Sequence, residues 1–89
     1  MFDDTNTPLE FPCDFPVKVM GSDTDGFAAE ITGIIARHLP PESTGSIQHR
    51  PSRNGRYVSL TVEVRVESRQ QLDAIYRDLH ASEWVLMTL

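Results

Sequence analysis

Residues 21–27 form the stretch of this sequence best suited to binding a small molecule. Two glycines enclose polar and acidic residues, and an amphipathic helical pattern follows directly. Glycine adopts backbone conformations that other residues resist, and the free N–H groups of a helix N-terminus attract anions. The alternative is that the Ser and Asp side chains cap these N–H groups themselves, which the two aspartates favour. The candidate ligand-binding residues are Gly21, Ser22, Asp23, Asp25, Gly26 and Phe27.

The possible metal ligands and nucleophiles are scattered along the chain. They are Cys13, His38, His49 and His80, which fall in four different predicted segments. Their spacing matches no zinc-binding pattern, and no Ser/His/Asp or Cys/His arrangement follows from it. We therefore expect no metal, no cofactor and no catalytic residues.

Three arginines, Arg50, Arg53 and Arg56, make the only basic cluster in a chain of net charge −5. Such a cluster can contact phosphate or an acidic partner. It can also be a solvated loop that keeps an edge strand soluble, and we favour this second interpretation. The overall acidity argues against general nucleic-acid binding, whose affinity comes mostly from phosphate neutralisation.

Hydrophobic periodicity predicts the elements that position these residues. Strict alternation predicts a strand over residues 57–66, and weaker alternation predicts strands over 14–20, 46–51 and 83–89. A first helix is predicted over 23–38, with Asp23, Thr24 or Asp25 as its N-cap. Ser68 and Gln71 have the spacing of a capping box and open the second helix. The turn over 53–56 has Asn-Gly as its strongest signal.

The order of these elements is βαββαβ. It predicts an α+β, ferredoxin-like domain over residues 14–89: a four-stranded antiparallel sheet of order 4-1-3-2 with two helices on one face. Residues 1–13 are expected to be a flexible N-terminal tail that Phe11 anchors to the domain.

The last strand carries a second candidate site. Its alternation directs Val85, Met87 and Leu89 to the core and Trp84 and Leu86 to the open sheet face. Met20 of the first strand is expected beside Trp84. An exposed patch of Met20, Trp84 and Leu86 indicates an interface. The alternative is a slip of one position that buries Trp84 beside the helices.

Composition limits the cellular setting. No apolar run approaches the ~20 residues that span a bilayer, and the first residues lack the basic start and apolar run of a signal peptide. A lone cysteine fits a reducing cytoplasm.

The chain resembles the YbeD-like family of small bacterial proteins of unknown function, from Phe11 to Leu89. The resemblance rests on short motifs in order: Phe11-Pro12, Phe15, Lys18-Val19-Met20-Gly21, Pro51-Ser52, Gly55, Tyr57, Ser59, Val85, Met87 and Leu89. It implies a ferredoxin-like fold similar to ACT regulatory domains, and no established activity.

Residues 23–31 also resemble the ACT pattern Asp-x-Pro-Gly-Leu-Leu-Ala-Glu-Ile. Positions 23, 26, 29, 30 and 31 match, whereas Asp25 stands where the family has proline. In ACT domains this turn meets a small effector, often an amino acid, at an interface between two domains. Asp25 places negative charge where the carboxylate of such an effector would approach.

Together these features favour a small cytoplasmic regulatory or interaction module without catalysis. Its partner would be another protein or a second copy of itself, as in a homodimer. The alternative is an ACT-like sensor that binds an amino-acid-like metabolite at residues 21–27.

Overall fold

The computed structural model describes residues 9–89 and has two layers, a sheet and a pair of helices. The strands are β1 (Cys13–Ser22), β2 (Thr44–Pro51), β3 (Tyr57–Val66) and β4 (Met87–Thr88). The helices are α1 (Phe27–Ala36) and α2 (Arg69–Ala81), and a short 3-10 helix spans Pro41–Ser43. The sheet is antiparallel with order β2-β3-β1-β4, which confirms the ferredoxin-like prediction.

The centre of the molecule is the pairing of β1 with β3. Ten residue pairs run from Cys13 opposite Val66 to Ser22 opposite Tyr57. The alternation predicted for β3 is confirmed, because its valine and leucine side chains are buried under the helices while the intervening residues are not. The core that results is apolar throughout and consists of Val17, Val19, Phe27, Ile31, Ile34, Ile35, Leu39, Val58, Leu60, Val62, Val64, Val66, Leu72, Ile75 and Leu79.

The first strand begins at Cys13, inside the range predicted to be a tail. Cys13 pairs with Val66 and is half-buried, and Phe11 packs against the core as expected. Residues 1–8 of the predicted tail lie outside the described residues.

Helix α1 is shorter than predicted at both ends. It begins at Phe27 rather than Asp23, because Gly26 is the N-cap and adopts the left-handed conformation with φ of 89°. The prediction that Asp23, Thr24 or Asp25 caps the helix is therefore wrong. The helix ends at Ala36, and residues 37–39 continue as a tight turn. Leu39 precedes Pro40, and a residue before proline is disfavoured in helical geometry.

Helix α2 begins as the sequence predicts. The Ser68 hydroxyl accepts a hydrogen bond from the Gln71 backbone N–H at 3.1 Å. The reciprocal bond is displaced by one residue, since the Gln71 side chain accepts from the N–H of Glu67 at 2.6 Å. The buried stripe of α2 is Leu72, Ile75 and Leu79, with Tyr76 half-buried beside it.

The last strand differs from its prediction in length and in register. Only Met87 and Thr88 pair with β1, with Thr88 opposite the buried Val19 and Met87 opposite Met20. Cross-strand partners share a face, so Thr88 lies on the helix face and Met87 on the open face. The prediction that Met87 and Leu89 are core residues is wrong: they are 48% and 59% exposed.

The cause of this difference is the connection between α2 and β4. After Ala81 the chain turns through residues 82–86: the Val85 N–H donates to the Ser82 carbonyl, and the Trp84 N–H donates to the Ser82 hydroxyl. Residues that were predicted to belong to the strand form this turn instead. Met87 rather than Trp84 therefore lies opposite Met20, so the register differs from the predicted one by an odd number of residues. Such a shift exchanges the two faces of a strand. Val85 alone keeps its predicted contact with the core.

Neither helix of residues 9–89 is long and apolar enough to cross a membrane.

Candidate functional site

The turn at residues 21–27 is shaped by close packing around Gly21. A Cβ at this position would clash with the ring of Phe27 and would lie 2.5 Å from the carbonyl oxygen of Trp84. Phe27 is buried, so its ring occupies the space that a side chain at position 21 would take. Gly21 is thus required where β1, the start of α1 and the segment before β4 meet.

The indole of Trp84 lies over the N-terminus of α1. Its Cη2 atom is 3.6 Å from the place of a Cβ on Gly26, which is an ordinary van der Waals distance, so the left-handed backbone and not the indole is what requires a glycine here. The prediction that Trp84 lies on the open face beside Met20 is wrong, because Met20 faces Met87 there. Trp84 is on the helix side, as in the alternative prediction, yet it remains 37% exposed.

This arrangement joins two candidate sites that the sequence had kept apart. A shallow groove of about 350 Å³ is lined by Ser22, Thr24, Glu83, Trp84 and Leu86. Ser22 belongs to the predicted ligand-binding turn, whereas Trp84 and Leu86 belong to the predicted interface. Met20 is not part of this lining; it lies in a separate depression with Tyr57 and Ser59.

A second groove, of about 330 Å³, lies on the other side of the indole, between the two helices. It is lined by Glu30, Ile34, Arg37, Asp78, Ala81, Ser82, Glu83 and Trp84. The helices are tied together nearby: His38 Nε2 lies 2.7 Å from Asp78 Oδ2, and the Gln71 side-chain amide donates to the His38 carbonyl at 2.9 Å. Trp84 therefore separates two surface grooves and contributes to both.

No side chain of the described part of the chain caps the first turn of α1. Phe27 N–H donates to the Thr24 carbonyl at 3.2 Å, and Glu30 N–H donates to the Gly26 carbonyl at 2.8 Å. The side chains of Asp23 and Asp25 are exposed. Of the described residues that line the groove beside this turn, Glu83 alone is charged. The local field therefore disfavours a purely anionic ligand and favours one that carries an amine.

The arginine cluster lies at the same end of the sheet. The predicted turn between β2 and β3 is present, with Gly55 at φ of 75° and the Ser52 N–H donating to the Tyr57 carbonyl at 2.7 Å. Arg50, Arg53 and Arg56 are all exposed. The Asp23 N–H donates to the Arg56 carbonyl at 3.0 Å, which joins this hairpin to the turn at residues 21–27.

Among residues 9–89 no three His, Cys, Asp or Glu side chains are grouped so that they could hold a metal ion. His38 is bonded to Asp78, His80 to Thr88, and His49 lies on the edge strand β2.

The exposed large apolar residues are concentrated near the end of the described chain. Four of them lie within residues 84–89, and we call these the β4 strip: Trp84, Leu86, Met87 and Leu89. Sequence reasoning found Trp84 and Leu86 but assigned Met87 and Leu89 to the core. Nothing in a short apolar segment reveals an odd shift in register, so local alternation could not have identified them.

Comparison with known proteins places these features in a family context. Residues 6–89 match the model of a family described as protein of unknown function (DUF493). A UPF0250 protein of Nitrosomonas europaea is 41% identical over 81 residues, which cover 91% of this chain and 93% of the relative. A UPF0250 protein of a Janthinobacterium strain is 45% identical over 87 residues, which cover 98% and 96%.

Solved structures with the same fold are more distant in sequence. Protein HP0495 from H. pylori superposes with a TM-score of 0.69 at 20% identity, covering 100% of this chain and 94% of that one. The ACT domain from GTP pyrophosphokinase of Chlorobium tepidum superposes with a TM-score of 0.66 at 19% identity, covering 86% and 97%. Both show the fold predicted from the sequence.

Proposed function

Since the chain belongs to the DUF493 (UPF0250) family of small bacterial proteins of unknown function, we propose that it is a non-catalytic interaction module with a regulatory role. The likeness of its fold to an ACT domain supports this proposal. We place its action in the cytoplasm, because Cys13 is a free thiol within the core-packed part of β1, and free thiols are typical of reducing compartments.

The observation that carries the proposal is the β4 strip. Leu86, Met87 and Leu89 are each about half exposed, at 56%, 48% and 59%, and they lie in or next to the two-residue edge strand β4. They present apolar surface on both sides of this edge, with Met87 on the open face and Leu86 in the groove beside Trp84. Exposed apolar side chains concentrated in one short segment of a small domain indicate a contact surface. Because β4 pairs with β1 on one side and with no other part of residues 9–89, its other side also offers backbone groups to a second chain.

Trp84 supplies an anchor at one end of the strip. Its indole is held in place over Gly26 and remains partly exposed. Tryptophan is enriched among the residues that dominate binding energy at interfaces. The partner is another protein or a second copy of this chain, which would form a homodimer.

The double variant Leu86→Glu/Leu89→Glu tests this proposal. It should remain folded, since both side chains are exposed, and should lose self-association in sedimentation velocity or partner capture in a pull-down. Ile47→Glu is the control for self-association, because Ile47 is also about half exposed, at 48%, but lies on β2, at the opposite edge. If the double variant associates as well as the wild-type chain, the β4 strip is not the contact surface.

The tryptophan gives a second readout. Trp84→Glu should fold and lose the same association, and in the wild-type chain the emission of this sole tryptophan should shift to shorter wavelength on association. Emission typical of a buried indole in a monomer, or unfolding of the variant, would instead assign Trp84 to the core.

A second candidate function is a sensor for an amino-acid-like metabolite. The groove lined by Ser22 and Trp84 favours it, because it adjoins a helix N-terminus without a side-chain cap. Titration with a panel of amino acids should then move the amide signals of residues 23–27 and change Trp84 emission. If no amino acid at millimolar concentration perturbs either signal, the sensor function loses its site.

A further inference from the structure

We infer that the free edge of β2 binds an extended, acidic segment of a partner protein as an added strand. This inference rests on the proposed function in one respect: it names a partner class for an interaction module. It uses a different surface, however, because β2 and the β4 strip lie at opposite edges of the sheet.

The backbone of β2 offers hydrogen-bonding groups at that edge. The strand is eight residues long, and among residues 9–89 it pairs only with β3. In an antiparallel ladder alternate residues direct their N–H and C=O groups to the same neighbour. Since the Ser52 N–H donates to the Tyr57 carbonyl, Gln48 and Arg50 also bond to β3. Ile47 and His49 therefore direct their backbone groups to the free edge.

The features that usually block an edge strand are confined to the two ends of β2. Pro51, which has no N–H to donate, is its last residue, and a shift in register lies between Thr44 and Ile47. From Ile47 to Pro51 the pairing with β3 is regular. A partner strand could thus pair with the short regular stretch of β2 between the register shift and Pro51.

The side chains at this edge favour a partner strand in which apolar residues alternate with acidic ones. Ile47 pairs with the fully buried Val62, so it points to the helix side of the sheet, yet it is 48% exposed. The helices cover β3 and β1 but leave the β2 side of this face open. An apolar side chain on the same face of the added strand would pack against Ile47 and bury its exposed surface.

The charge of the residues near this edge indicates that the partner segment is negatively charged. Residues 43–62 contain Arg50, Arg53 and Arg56 and no aspartate or glutamate, whereas the whole chain has a net charge of −5. Arg50 lies near the end of β2 and the other two arginines lie in the hairpin that follows it, whereas Glu42 and Glu63 lie beside the first residues of the strand. The basic charge is therefore concentrated at the Pro51 end of this edge. Complementary charge steers association and fixes register, so an acidic segment fits this edge.

Charge also disfavours the two other occupants. A second copy of β2 would present Arg50 and no acidic side chain to this edge, so it offers no complementary charge. Nucleic acid is disfavoured because three arginines on an otherwise acidic molecule can neutralise only a few phosphates.

A direct test uses a fluorescein-labelled peptide of about 10 residues that alternates valine and glutamate, with a valine/lysine peptide as its charge control. The valine/glutamate peptide should bind and the control should not. In hydrogen exchange by NMR, the amides of Ile47 and His49 should slow at least about tenfold, because they gain hydrogen bonds, while those of Gln48 and Arg50 should not change comparably.

The variant pair His49→Pro and His49→Ala separates strand addition from simple charge attraction. Proline removes the outward N–H without disturbing the ladder to β3, whereas alanine keeps it. We expect His49→Pro to weaken peptide binding about tenfold or more, as for a lost hydrogen bond at a packed edge, and His49→Ala to bind within about twofold of wild type. Amide spectra of β3 check that both variants are folded.

Three results would overturn the inference: shifts at the arginines without new protection at Ile47 and His49, equal binding of the valine/lysine peptide, or protection of these amides by a dimer in the absence of peptide. The β4 variant Leu86→Glu/Leu89→Glu should bind the peptide normally. A failure at β2 therefore leaves the proposed role of the β4 strip intact, and a failure at β4 leaves this inference intact.

Discussion

At the scale of single residues, three glycines have three different environments. Gly21 has no space for a side chain, Gly26 has a left-handed backbone under an indole, and Gly33 has nothing within 4 Å of the position of a Cβ. Residue type alone therefore says little about the cost of replacing a glycine. The surrounding contacts decide it, and at Gly21 those contacts belong to the candidate site.

Gly21→Ala and Gly33→Ala should have opposite effects on stability. The first forces a methyl group into Phe27 and the Trp84 carbonyl and should lower the free energy of unfolding by about 1–3 kcal/mol. The second lies within α1 in open space and should raise it by about 0.5–1 kcal/mol. Urea denaturation measures both changes, and an unchanged free energy of unfolding for Gly21→Ala would contradict the close packing around Gly21.

Tyr76 couples stability to alkaline pH. Its ring packs edge-on against Phe15, with centroids 6.5 Å apart, and burial raises the pKa of its phenol above the ordinary value of 10.0. Above about pH 10 the unfolded chain ionises this phenol while the folded chain still holds the proton. The contribution to stability is thus complete below that pH and is lost as the pH rises toward the folded-state pKa.

The free energy of unfolding of the wild-type chain should accordingly fall more steeply above about pH 10 than that of Tyr76→Phe. Chemical denaturation across this range compares the two proteins. Identical slopes would show that the Tyr76 phenol does not contribute.

At the scale of elements, the two helices begin in different ways. Helix α2 begins with a side-chain cap from Ser68, whereas α1 begins with a left-handed glycine. Sequence reasoning identified the first because a serine followed three residues later by glutamine makes a local bond. It misplaced the second because an aspartate in the turn is a cap only if the backbone directs it to the helix.

Ser68→Ala should therefore lower the free energy of unfolding by about 1 kcal/mol, as expected for the loss of an N-cap. Thr24→Ala is the matched control, because within residues 9–89 the Thr24 hydroxyl bonds only to the Ser22 carbonyl, at 3.4 Å. This change should cost less than about 0.5 kcal/mol. Equal losses in thermal or urea denaturation would contradict this assignment of the two caps.

At the scale of the whole molecule, the sheet has a strong centre and two weaker edges. The ten-residue pairing of β1 with β3 carries the core, while β2 is exposed along nearly its whole length and β4 has only two residues. Both proposed contact surfaces lie at these edges. Binding there would complete the sheet without disturbing the core.

Hydrogen exchange should reproduce this gradient. The amides of Val19 and Leu60, in the centre of the sheet, should exchange only on global unfolding. Those of Leu86 and Leu89 should exchange faster, although they donate to the Met20 and Lys18 carbonyls, because β4 can open alone. Equal protection of Leu89 and Leu60 would show that β4 is an integral part of the folding unit.

The sequence by itself determined the βαββαβ order, the strand over residues 57–66, the capped start of α2 and most of the core. These features follow from local periodicity, since each buried position is marked by its own residue type. Only the tertiary structure decided the register of β4, the cap of α1 and the position of Trp84. The register depends on how many residues the turn after α2 uses, and the position of Trp84 depends on its packing over Gly26, a residue far away in the chain. Periodicity predicts which positions of a helix or strand face the core, but not which distant residues pack against them.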